Sequence, residues 1–129
     1  MRRSDWGFLF GALVAAFLLT FTIASQAKVR QFPLHRPVVE EGVLVCLERD
    51  KAVELMQTLV ASGERASSVL LESYMRANVC GHLPRVEITY KEQVYRGDYD
   101  GQPAVVFEAT VGKVTVYVPM LGWLPEPGV

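Results

Sequence analysis

The sequence predicts an α+β domain behind an N-terminal membrane-targeting segment. Three observations carry this. An uncharged apolar run of nineteen residues, Trp6 to Ala24, lies near the start. Two stretches with helical spacing of apolar residues follow. The C-terminal half is Val-rich and alternates apolar with polar residues, the period of a half-buried strand.

The N-terminal segment, residues 1–27, reads as a transmembrane anchor or a signal peptide. In lipid every backbone N–H and C=O must be bonded within the segment, which favours a helix. About 20 residues at 1.5 Å each span a core of ~30 Å, so residues 6–24 are just long enough to serve as a membrane partner. Trp6 would sit at headgroup level. The rival is cleavage after Ala27, where Ser25 and Ala27 are small and Arg2-Arg3 forms a basic start. Either way the following domain is expected outside the cytoplasm: at a bacterial inner membrane with the domain in the periplasm, or periplasmic or secreted if the segment is cut.

Residues 28–42, "KVRQFPLHRPVVEEG", carry Pro33 and Pro37 and show no period, so they are expected to be a linker. The domain proper is expected over 43–120. "VLVCLE" from Val43 is a short strand. Asp50 is a candidate N-cap for a helix whose stripe is Ala52, Val53, Leu55, Met56, Leu59 and Val60. Gly63 ends it. Glu64 to Val79 reads as a second helix with Ala66, Val69, Leu70, Tyr74 and Ala77 inward.

A three-stranded antiparallel meander should follow, giving the order β-α-α-β-β-β. Val86, Ile88, Tyr90 and Val94 would share one core face. Asp100-Gly101 is the expected first turn. The alternation then changes phase at Gly112-Lys113, which points to a two-residue turn pairing Val111 with Val114, Ala109 with Val116 and Phe107 with Val118; one long strand with a bulge at Gly112 is the alternative. Both helices would cover that apolar face, and the first strand would pair at an edge. Residues 121–129 read as a Pro/Gly tail.

Composition limits function. The chain has 13 Lys+Arg against 14 Asp+Glu, net −1, so no basic excess exists to hold nucleic acid. The two cysteines, Cys46 and Cys80, behind an export segment point to a disulfide. Tyr95, Tyr99, Tyr117 and Trp123 are candidates for an interaction surface, because exposed aromatics supply interface contact; cross-strand packing is the plainer role of Tyr95 and Tyr117. No catalytic, cofactor or metal site is expected. His82 beside Cys80 makes a poor zinc set, since His35 lies far away in sequence.

Glu41 and Asp50 have eight residues between them, which is similar to the acid pair of phage lysozymes, and Thr58 falls two positions from that family's threonine. The intervening "GVLVCLER" reads as a strand instead of the family's Gly-rich hairpin. The Cys46…Cys80 pair bracketing two helical stretches, then a Val-rich β-region, resembles small exported proteins of proteobacteria and their phages. That resemblance implies an envelope location. The expected function is non-enzymatic: an envelope domain that binds another envelope protein, with phage or host accessory roles in view. A wall hydrolase using Glu41 and Asp50, or a small-ligand-binding periplasmic domain, is the alternative.

Overall fold

The computed structural model describes residues 30–125. The expected anchor or signal segment, residues 1–27, lies outside them. Among the described residues no helix is long and apolar enough to cross a membrane.

Three short strands open the domain: β1 (Arg30–Phe32), β2 (Pro37–Glu40) and β3 (Leu44–Cys46). Two helices follow, α1 (Arg49–Ser62) and α2 (Glu64–Arg76). Five strands complete the described residues: β4 (Cys80–His82), β5 (Val86–Tyr99), β6 (Gln102–Val111), β7 (Val114–Leu121) and β8 (Trp123–Pro125). Six strands form one antiparallel sheet in the order β2-β5-β6-β7-β3-β4, and β1 pairs β8 in parallel beside it.

The expected meander is present as β5-β6-β7. Val111 pairs with Val114, Ala109 with Val116 and Phe107 with Val118, as the phase change predicts. Gly112 has φ 63 and Lys113 has no positive φ, the pattern a type II′ turn requires. At the other turn Asp100 and Gly101 both have positive φ, 53 and 78, as in a type I′ turn.

The cover of the sheet differs from expectation. Ile88, Tyr90, Val105, Phe107, Ala109, Val116 and Val118 form one core face. No helix covers it. Phe32, from the expected linker, is 4% exposed at its centre, and Trp123 and Leu124, from the expected tail, pack against it. Residues 30–42 are therefore part of the domain, and so are residues 121–125 of the expected tail. Phe32 lies 4.7 Å from the Tyr90 ring and 4.8 Å from Phe107, centroid to centroid. Val38 from one sheet edge and Leu83, just after the other edge strand, pack against this same cluster, so the sheet curls around it.

The helices take the opposite face. There Ala52 and Leu55 of α1 pack with Cys46, Cys80 and Val106, flanked by Val94, Tyr95 and Tyr117. Only α1 lies broadly across the strands; α2 packs chiefly on α1 and has no fully buried residue. Val69, expected inward, is 64% exposed, and Leu71 joins Leu70 and Tyr74 on the packed side. The second helix also ends early, at Arg76. Asn78 takes φ 60, and the Val79 N–H donates to the Tyr74 carbonyl, a left-handed C-terminal cap. This frees Cys80 to enter β4.

Two further expectations change. The strand holding Cys46 is not at an edge: it lies between β7 and β4. Asp50 does not cap α1; Glu48 occupies that position, without a side-chain cap bond.

Candidate functional site

Strand β5 is irregular at its middle. Its register against β6 slips between Tyr90 and Glu92 and again between Gln93 and Tyr95, so Lys91 and Val94 are extra residues in two β-bulges. Each bulge reverses which face successive side chains take. Ile88 and Tyr90 lie on the Phe32 side, while Tyr95 sits opposite Val106 on the helix side. Val94, expected on the same face as Ile88, packs with the helix-side cluster for this reason.

Two polar residues lie on the apolar side: the first slip moves Gln93 there, and the second restores the original alternation, which puts the even-numbered Arg96 there as well. Gln93 lies opposite Phe107, and Arg96 lies opposite Val105. They border an open groove of about 410 Å³, with Leu34, Phe107, Leu124 and Pro125 as apolar lining and Lys91 and Glu92 completing it. Among the described residues neither the Lys91 ammonium nor the Arg96 guanidinium finds an ion-pair or hydrogen-bond partner. The groove thus joins an apolar lining to two available cations and one carboxylate.

The edge beside this groove is open. Strand β2 pairs β5 only over Val86 to Thr89, and the His35 N–H donates to the Tyr90 carbonyl just beyond. Among the described residues no strand pairs with β5 on that side from Lys91 to Tyr99.

Cys46 and Cys80 face each other directly in the β3–β4 ladder and form a disulfide, with both residues buried. The four aromatics expected to form a surface are divided. Tyr95 and Tyr117 are half-buried on the helix side, and Tyr117 is paired with Cys46. Tyr99 is half-buried and donates to Glu64 at 3.4 Å. Trp123 lies on the other face, 5.9 Å from the Phe32 ring.

The acids are also apart in role. Glu41 accepts from Arg85 at 2.9 Å, Asp50 is exposed in the first turn of α1, and Thr58 is half-buried in that helix. None of the three lines the groove. His35 and His82 are exposed, and among the described residues no three His, Cys, Asp or Glu side chains converge as a metal site.

Two tyrosines are strongly shifted. Burial, then the nearby Glu40 carboxylate, which accepts the Tyr90 hydroxyl at 3.2 Å, pushes the Tyr90 pKa upward. Partial burial and a hydrogen bond to Glu54 push Tyr74 up to about 12, while the Lys51 ammonium sits 5.2 Å over its ring.

Lys91, Gln93 and Arg96 escape sequence reasoning. One signal was present: "KEQ", Lys91 to Gln93, is a polar run that interrupts the alternation of the strand. Comparison of the chain with protein-family models, with curated proteins and with solved structures finds no match in any of the three.

Proposed function

We propose that this chain is a non-enzymatic envelope domain. It is held on the periplasmic side of a bacterial inner membrane by residues 6–24, or released if the chain is cut after Ala27, and it acts by binding another envelope protein. The observation that carries this reading is the buried Cys46–Cys80 disulfide in a domain that follows an uncharged nineteen-residue run. A structural disulfide persists in an oxidising compartment, and the apolar run supplies the route there.

The test has two parts. Intact mass of membrane and soluble fractions, with and without reductant before thiol alkylation, reports the fate of the segment and the state of the cysteines. Cysteines that alkylate without reduction in freshly broken cells would count against the periplasmic location. Photo-crosslinking from positions spread over the domain surface, in intact envelopes, reports protein contact. No cross-linked partner from any position would sink the binding role.

A further inference from the structure

We propose that the open edge of β5, Lys91 to Tyr99, docks an extended acidic segment of a partner protein as an added strand. The partner segment would place an apolar side chain in the adjoining groove. This inference rests on the protein-binding reading above and names the surface and the partner chemistry.

Three independent observations meet at this edge. The first is backbone: beyond Thr89 the outer side of β5 has no strand partner among the described residues, and an extended peptide added there gains main-chain hydrogen bonds. The second is the groove of about 410 Å³ beside it, with Leu34, Phe107 and Leu124 among its lining residues. The third is charge: Lys91 and Arg96 stand at the groove without an ion-pair partner among the described residues, against one carboxylate in its lining, Glu92.

The register fixes the order of the partner's residues. The bulge at Val94 puts Gln93 and Arg96 on the same face as neighbours along the strand. A peptide running antiparallel to β5, as β2 does, then meets Arg96 first and Gln93 second. Side chains on one face of a strand are two residues apart. The partner motif is therefore acidic-x-apolar, the acid at Arg96 and the apolar residue over Phe107. Bulges and charges also blunt a sheet edge against unwanted pairing. Here they select: along Lys91 to Tyr99 two cations stand against the carboxylates of Glu92 and Asp98, but only Glu92 joins the two cations at the groove, so an acidic side chain is favoured there, beside Arg96.

The experiment uses the isotope-labelled full chain in lipid nanodiscs and follows its backbone amides by NMR. The probes are the blocked peptide Thr-Thr-Glu-Thr-Phe-Thr-Thr and the same peptide with Gln for Glu. The acidic peptide is expected to shift amides along Lys91 to Tyr99 and at Phe107. The Gln peptide is expected to bind about five-fold more weakly, the scale of one exposed ion pair. Arg96→Gln, an exposed position, should remove the difference between the two peptides while leaving the remaining spectrum in place. No shift along Lys91 to Tyr99, or equal binding of both peptides by the unaltered chain, overturns the proposal. Envelope cross-links that arise only from other surfaces would overturn it too and leave the protein-binding reading standing. Absence of cross-links from every surface fells that broader reading instead.

Discussion

Phe32 packs its ring 4.7 Å from that of Tyr90, centroid to centroid, although 58 positions separate them in the chain. The contact closes the apolar side of the sheet with a residue from a three-residue strand. Large-to-small changes at such sites remove both transfer energy and packing. Phe32→Ala should therefore cost about 3–5 kcal/mol. Val39→Ala, at a side chain 52% exposed nearby in β2, should change stability by no more than about 0.5 kcal/mol. Denaturant unfolding of both variants checks the pair. Equal, small effects would mean that the residues before β3 are only loosely attached.

Joining Cys46 to Cys80 closes a loop with a sequence separation of 34 that contains both helices. On the chain-entropy model such a loop is worth about 3–4 kcal/mol. The double variant Cys46→Ala, Cys80→Ala should lose close to that amount, by denaturant titration against the oxidised parent. In the native domain, alkylation without reductant should modify neither cysteine.

Tyr90 and Tyr74 link stability to alkaline pH. Both pKa values lie above the ordinary value of 10.0, because burial and a neighbouring carboxylate disfavour the phenolate. The folded state therefore holds these protons more tightly than the unfolded chain. The stabilisation is complete below about pH 10 and is lost as pH rises toward the folded-state values, reaching about 12 for Tyr74. Ultraviolet titration should show these phenols ionising late in the folded protein, and Tyr90→Phe should reduce the alkaline loss of stability. An alkaline limb unchanged in Tyr90→Phe would remove that tyrosine from the linkage.

Gly97 lets the end of α1 approach β5. A Cβ built there would lie 2.7 Å from the Tyr95 hydroxyl oxygen and 3.1 Å from Val60 Cγ2. Gly97→Ala should destabilise by about 1–3 kcal/mol, the usual cost of overpacking, even though alanine restricts the unfolded chain more than glycine does. Gly81→Ala, where nothing lies within 4 Å, is the matched control and should be close to neutral. Thermal unfolding of the two variants distinguishes them.

The sequence by itself determined the local elements. The period-3.6 stripe marks α1, the period-2 alternation marks β6 and β7, and the phase change at Gly112-Lys113 sets their register, because each signal is contained in a few consecutive residues. The cysteine pairing was legible from number and context. Tertiary structure alone decided which layer covers which face. Phe32 and Trp123 sit in three-residue strands, too short to show a period, and β1 and β8 pair across nearly the whole described chain. Their burial depends on a long-range contact that no local pattern encodes. The same holds for the open edge and the groove. The polar run at Lys91 to Gln93 marks a break in the strand, but only pairing with β6 turns that break into two bulges and brings Gln93 onto the face that Arg96 shares.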